Sequence, residues 1–454
     1  MLLAAVLPAR AADLAWRECR DGLECATLWV PRDHARPQEG LLDLALIRRP
    51  AGDPARRIGP LVLNPGGPGV SGVAHLRAAV ARMDPQLLER FDVVSFDPRG
   101  VGGSAALDCH GDLELWLAAD PSPDSEEEWT RLSEVARAVA LRCASRHAAL
   151  LPHLGTLDVA RDLELLRQAL AAEQLSYLGV SYGSVLGAAY AHLHPERVRG
   201  FVLDGAVDPE LTLARFTLEQ SIALERAFVS PAALVGVAAR IERSPLPSAD
   251  GGRPASTGDL AIALVASLYE PNDGSRALAR ALDRASRGDG SGLVELADAY
   301  LQIRPDGSYA NSFEASLAVI CLDLAAPRTL PVWRARAAEL ARGAPLFGLA
   351  NWSWALPCVF WPAGPTPLPP LSAVGSAPIL VVARSDDPVT PFAWAEALAT
   401  RLGSATLLPV EGSGHTSSLR GNACVDSVIR AYLIDGRLPR AQGSRKPPTL
   451  KACR

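Results

Sequence analysis

Short apolar runs alternate with stretches of helical periodicity over most of this chain. Gly59-Pro60-Leu61-Val62-Leu63, Phe91 to Asp97, the residues leading to Gly179, and Val198 to Val207 read as buried strands. Between them lie helical stretches: one reaching Met83, a polar one over 105–155, and Asp158 to Ala172 with Val159, Leu163, Leu166 and Leu170 on one face. Val185 to Ala191 reads as a helix of small residues. Leu42 to Ile47 alternates apolar and polar positions, which suits an edge strand. After residue 209 the strands stop. Residues 210–370 show helical periodicity, Pro-rich joints and Trp333, Trp352, Trp354 and Trp361, with no clear strand. The strand grammar resumes at Pro378 to Ala383 and Ala405 to Val410, and a last helix lies near 421–434. Strands alternating with helices predict an α/β core with a mostly parallel sheet and right-handed crossovers. The expected division is a first core part at 13–209, a helical cap (lid) insertion at 210–370 and a second core part at 371–454.

Composition narrows the classes. With 48% apolar residues and net charge −5, the chain is globular and carries no basic stripe for nucleic acid. No run approaches the roughly 18 apolar residues of a membrane span. The acidic run Asp124 to Glu128 reads as a solvated loop. Residues 1–12 resemble the tail of a secretory signal, with Ala9-Arg10-Ala11 as a small-x-small cleavage pattern but no basic n-region. A truncated leader and a plain terminus are the two readings. Eight cysteines form an even set falling into neighbouring pairs, 19/25, 109/143, 321/358 and 424/453, and this favours export. Many other connectivities are open to eight cysteines, as are free buried thiols. No Cys-x-x-Cys spacing suggests zinc, and His192 and His194 face different sides of a predicted helix, so no metal site is expected.

The candidate chemistry centres on Gly179-Val180-Ser181-Tyr182-Gly183, a Gly-x-Ser-x-Gly between a strand and a helix. At such an elbow the serine occupies a strained turn, so the residues two before and two after it must be small. A serine hydroxyl needs a base, and the base needs an orienting group. Asp386-Asp387-Pro388 and Gly412-Ser413-Gly414-His415 each follow a strand of the resumed sheet, at the edge where open α/β sheets place their sites. Ser181, Asp387, His415 is the chain order of the α/β-hydrolase fold. An oxyanion would take one backbone N–H from Tyr182 and another from the Gly66-Gly67 loop. That loop also contains Gly67-x-Gly69-x-x-Gly72, with Asp97 ending the next strand, which mimics a dinucleotide fingerprint. Pro65 and Pro68 remove N–H groups a pyrophosphate would need, so no cofactor is expected.

Together, Asn64 to Gly72, Phe96-Asp97-Pro98-Arg99-Gly100, Gly179 to Ser184, Val202-Leu203-Asp204-Gly205, Asp387-Pro388-Val389-Thr390-Pro391 and Gly414-His415 resemble the tripeptidyl-aminopeptidase-like branch of the α/β-hydrolases. These are exported bacterial serine exopeptidases related to prolyl aminopeptidases. The resemblance is close over 58–209 and 371–435 and weaker across the insertion. It implies a helical cap over the site, Asp387 rather than Asp386 as the acid, and no metal or organic cofactor. Proline stands where prolyl aminopeptidases carry a histidine before the two glycines, which favours the tripeptidyl branch. The implied substrate is a peptide with a free N-terminus, whose buried ammonium needs a carboxylate partner. Glu219, Glu225, Glu314 and Asp323 lie in the insertion; the resemblance touches Glu225 and Asp323. An esterase or lipase on the same core, and a non-catalytic binding protein, are the competing readings.

Overall fold

Nine strands form one sheet: β1 (Arg17–Arg20), β2 (Leu23–Pro31), β3 (Leu41–Arg49), β4 (Gly59–Asn64), β5 (Phe91–Phe96), β6 (Leu175–Val180), β7 (Val198–Asp204), β8 (Ile379–Asp386) and β9 (Ala405–Ser413). Their spatial order is β1-β2-β3-β5-β4-β6-β7-β8-β9 in this computed structural model. It describes residues 14–109, 113–229, 231–303, 308–441 and 447–454. The suspected leader at 1–12 lies outside the described residues. β1, β2 and β3 pair antiparallel, and β3 pairs antiparallel with β5. From β5 to β9 every pairing is parallel.

Helices α1 (Gly72–Ala79), α2 (Pro85–Arg90), α3 (Leu113–Ala118), α4 (Glu126–His147), α5 (Thr156–Ala169) and α6 (Gly183–Leu193) occur before β7. Leu76 of α1 and Leu87 of α2 pack on one sheet face, with Leu61, Val93 and Leu178. Val159, Leu163 and Leu166 of α5 and Leu186 of α6 pack on the other, with Val62, Tyr177 and Phe201. Both faces of the parallel strands are therefore covered, which is why these strands read as continuous apolar runs and not as alternations.

The stretch expected to be an edge strand is interior. β3 lies between β2 and β5, and the outer hairpin β1–β2 was not anticipated. Leu42, Leu44 and Leu46 enter the core while Asp43 and Ala45 are only partly covered. Alternation there marks one half-wet face of an antiparallel segment, not the end of the sheet.

Between β7 and β8 run α7 (Leu213–Ala227), α8 (Leu234–Arg243), α9 (Thr257–Ala266), α10 (Pro271–Ser286), α11 (Ser291–Leu301), α12 (Ser312–Asp323), α13 (Leu330–Gly343) and α14 (Gly348–Ser353). They pack in two parts. Leu224, Leu234, Leu264, Leu282 and Leu293 form a separate apolar cluster. Leu317 and Leu322 of α12, with Trp333, Trp352 and Trp361, belong to the main core. Trp333 and Trp352 stack at 4.0 Å between ring centroids. α15 (Phe392–Leu402) and α16 (Ala423–Asp435) complete the fold. Thr449 and Cys453 bridge to Leu407 and Val410 of β9, a pairing too short to register in the sequence.

The eight cysteines form four disulfides between sequence neighbours: 19–25, 109–143, 321–358 and 424–453. Four disulfides fit an oxidising compartment. Among the described residues no helix is long and apolar enough to cross a membrane.

Candidate active site

Ser181 lies in the turn between β6 and α6 with φ +58°, a left-handed conformation that a side chain adopts only under constraint. The constraint comes from its neighbours. Ser181 N donates to Asp204 O at 2.8 Å, tying the turn to the end of β7. A Cβ on Gly179 would stand 2.3 Å from Gly183 O, and one on Gly183 would stand 2.7 Å from Asn64 O. Neither position can carry a side chain, as the motif requires. Ser181 Oγ has no protein hydrogen-bond partner among the described residues. The other serines of the area are engaged: Ser184 Oγ donates to Ser181 O at 2.6 Å, and Ser71 Oγ to Asp97 Oδ1 at 2.6 Å.

The turn after β8 brings Asp387 to His415, which follows β9. His415 Nδ1 lies 3.1 Å from Asp387 Oδ1 and 3.0 Å from Oδ2. The N–H groups of Val389 and Thr390 each donate to Asp387 Oδ1 at 2.9 Å, and Thr390 Oγ1 donates to Oδ2 at 3.1 Å. Asp387 is buried; Asp386 is exposed, with Ser385 Oγ the one side-chain hydrogen-bond partner of its carboxylate among the described residues. A Cβ on Gly205 would lie 3.1 Å from His415 Cε1, so the imidazole edge stands beside the residue that follows Asp204.

The Gly66-Gly67 loop lies against the elbow. A Cβ on Gly66 would stand 3.0 Å from Tyr182 N and 3.1 Å from Ser181 Cβ. Gly66 N–H donates to Asn64 Oδ1 at 3.0 Å and is thereby spent. The N–H groups of Gly67 and Tyr182 meet no protein acceptor among the described residues. Asp97, the would-be ribose acid, accepts from Ser71 Oγ, Val73 N and Gly103 N and closes two loops internally.

Residues that sequence reasoning passed over hold this arrangement together. Asp204 is buried, and its Oδ2 accepts from Ser417 N at 2.7 Å, Ser418 N at 2.6 Å and Ser418 Oγ at 2.5 Å. Arg384 donates to Thr416 O at 2.7 Å and Ser413 O at 3.2 Å. These two clamp the segment around His415. From the insertion, Tyr269 places its ring edge-on to His415 at 5.3 Å, its carbonyl accepts from His415 N at 3.5 Å, and Glu270 pairs with Arg420. A family fragment such as Val202-Leu203-Asp204-Gly205 was the one available sign of the Asp204 clamp; nothing local marks Tyr269.

The insertion carboxylates are engaged within the protein. Glu225 Oε1 accepts from Leu346 N at 2.5 Å and Phe347 N at 3.1 Å. Glu219 accepts from Arg215 and from Trp394 Nε1 at 2.6 Å. Glu314 is buried on α12. Asp323 accepts from Thr156 N at 3.1 and 3.2 Å and from Thr156 Oγ1 at 2.5 Å. Burial pushes the Asp323 carboxyl up to about 7, against the Thr156 hydrogen bonds that lower it. The folded state thus holds a proton that the unfolded chain has lost between pH ~4 and ~7, so stability falls as pH rises through that window, by about 4 kcal/mol at most. Thermal melts of wild type and Asp323→Asn from pH 4 to 7.5 are expected to differ in slope in that direction. Parallel curves would refute it.

Residues 59–246 match the family model described as alpha/beta hydrolase fold, and residues 344–445 match that described as TAP-like protein. The serine protease Hip1 of Mycobacterium tuberculosis is 35% identical over 473 residues, covering 93% of this chain and 89% of the relative. Carboxylesterase B of the same species is 35% identical, covering 95% of this chain and 90% of the relative. Tripeptidyl aminopeptidase of Streptomyces lividans is 32% identical, covering 96% of this chain and 87% of the relative. With its mostly parallel sheet, its serine at a constrained elbow and relatives aligned over nearly its whole length, the chain belongs to the tripeptidyl-aminopeptidase-like family of α/β-hydrolase enzymes.

Proposed function

We propose that this protein is an exported serine exopeptidase that releases short peptides from free N-termini through an acyl-enzyme. The reading is supported by Ser181, held at φ +58° in the turn after β6, and by the buried His415–Asp387 pair at the ends of the adjacent strands β8 and β9 of the same sheet. Ser181 Oγ attacks the scissile carbonyl carbon and passes its proton to His415 Nε2. Asp387 accepts at Nδ1, holds the tautomer and stabilises the imidazolium. The oxyanion takes the N–H groups of Tyr182 and Gly67, since that of Gly66 is spent on Asn64. Collapse expels the downstream peptide as an amine protonated by His415. Water, deprotonated by the same imidazole, then hydrolyses the ester and frees the N-terminal fragment.

Exopeptidase action draws support from the relatives named tripeptidyl aminopeptidase and from the insertion loop at Tyr269 and Glu270, which lies directly on the His415 segment. A site roofed in this way favours chain ends over internal bonds. Export draws support from the four disulfides. Of the two carboxylates considered for the substrate ammonium, Asp323 is committed to Thr156, while Glu225 has committed one oxygen. Glu225 therefore goes into the test.

The test compares one tripeptide p-nitroanilide with a free amine and with an acetylated one. Acetylation is expected to lower kcat/KM by about 30- to 1,000-fold, the loss from leaving a buried charge unpaired. Glu225→Gln should erase much of that preference. Equal cleavage of both substrates would overturn the exopeptidase reading in favour of an esterase or endopeptidase, for which the carboxylesterase B relative is the precedent in name.

A further inference from the structure

α12 reaches the surroundings of the candidate oxyanion site from both of its ends. In its first turn, Ser312 O and Ser316 N press so closely on Gly69 that a Cβ there would stand 2.4 and 2.8 Å from them. Gly69 has φ +93° and lies two residues after Gly67, so the first turn of α12 is the wall on which the glycine loop rests. Just before the helix, Asn311 accepts from Gly102 N at 3.0 Å and donates to Gly100 O and Leu107 O at 2.9 Å each. This fastens the helix start to the loop after β5.

The other end is fastened under the elbow. Asp323 is the last residue of α12, and its carboxylate holds Thr156 at the start of α5. Thr156 Oγ1, donating to Asp323, is in turn the hydrogen-bond partner of the Tyr182 hydroxyl. Tyr182 immediately follows Ser181. Between the two contacts α12 is anchored along its length: Leu317, Ala318 and Leu322 are buried in the main core, and Cys321 is bonded to Cys358. At 1.5 Å per residue, Ala315 and Asp323 stand about 12 Å apart along the axis. That is enough to reach from one side of a small site to the other.

We propose that α12 is a brace for the oxyanion site, setting the distance between its two backbone donors by supporting the Gly67 loop at one end and, through Asp323, Thr156 and the Tyr182 phenol, the elbow at the other. The proposal rests on the reading of Ser181 as nucleophile with Tyr182 and Gly67 as donors. An oxyanion donor loses effect when it is displaced by a fraction of an ångström, and the ground-state carbonyl depends on it far less. Asp323, Thr156 and the Tyr182 ring are positioning residues, and substrate touches none of them in this scheme. The consequence is that a helix of the insertion, and not the sheet alone, governs transition-state stabilisation.

The test uses the full chain with Tyr182→Phe and Thr156→Val, separately and together. Mass spectrometry first identifies the residue labelled by a fluorophosphonate in the wild type. If that residue is not Ser181, the underlying reading fails, whatever the variants do. With Ser181 labelled, each variant is expected to lower kcat for p-nitrophenyl acetate about tenfold. Affinity for a peptidyl trifluoromethyl ketone, which forms a tetrahedral adduct, should fall by the same factor. KM and affinity for the free tripeptide product should stay close to wild type, as should the melting temperature of Tyr182→Phe, while Thr156→Val, which takes a donor from the buried Asp323, should melt lower. The double variant should lose no more than either single one, because both cut the same chain of hydrogen bonds. Asp323→Asn, which keeps an acceptor oxygen for Thr156, should retain most activity. Unchanged kcat, equal losses in ketone and product affinity, or losses that multiply in the double variant would each overturn the brace. Should Thr156→Val fail to fold, Tyr182→Phe alone decides through the ketone-to-product comparison.

Discussion

Ser181→Ala is expected to abolish covalent labelling by a fluorophosphonate and to lower kcat by about 10⁴-fold or more, with the melting temperature unchanged. The size of the effect follows from what the hydroxyl does and what it does not do. It has no hydrogen-bond partner of its own among the described residues, so its removal leaves no buried group unsatisfied. The elbow is held by main-chain geometry, by Ser181 N on Asp204 O and by the close approach of Gly179 and Gly183, none of which involves Oγ. Activity should therefore collapse without the fold. Labelling of Ser71, Ser184 or Ser413 in the wild type would refute the assignment outright.

Loss of His415 should cost at least about 10³-fold in kcat, and Asp387→Asn a comparable factor, because the members of such a unit fail together. Asp387→Asn is the sharper experiment. An amide has a single acceptor oxygen and cannot serve Val389 N, Thr390 N and Thr390 Oγ1 while also accepting from imidazole Nδ1–H, so the histidine would be pushed towards the wrong tautomer. Asp386→Asn, one residue away but exposed and bonded to Ser385, should leave kcat within about threefold. Equal losses at 386 and 387, measured on the same ester under saturating substrate, would remove Asp387 from its role.

The mostly parallel core, the run of helices between β7 and β8 and the strand–helix turn at Ser181 were legible from local pattern. Runs such as Leu61-Val62-Leu63 and Leu380-Val381-Val382 are buried on both faces and leave no other reading. The first hairpin was missed and β3 misplaced at the edge because a half-covered antiparallel strand and a true edge strand share the same alternation. The pairing of cysteines by neighbourhood matched the disulfides formed, yet spacing alone left many alternatives.

Partnerships of buried polar groups were decided only by the tertiary structure. Asp323 and Glu225 stood out in the sequence as carboxylates among apolar residues; which atoms they meet depends on Thr156 and on Leu346 and Phe347, more than a hundred positions away. Asp204 reaches Ser417 and Ser418, and Tyr269 reaches His415, over similar separations. By itself the sequence determined what repeats locally: period, turn chemistry and the glycines that no side chain could replace. A hydrogen bond acts only over about 3 Å and carries no period along the chain. Which distant groups meet is therefore determined by packing alone, and packing is what made Asp387 the partner of His415, Asp204 a clamp under its loop and Asp323 a tie between α12 and the elbow.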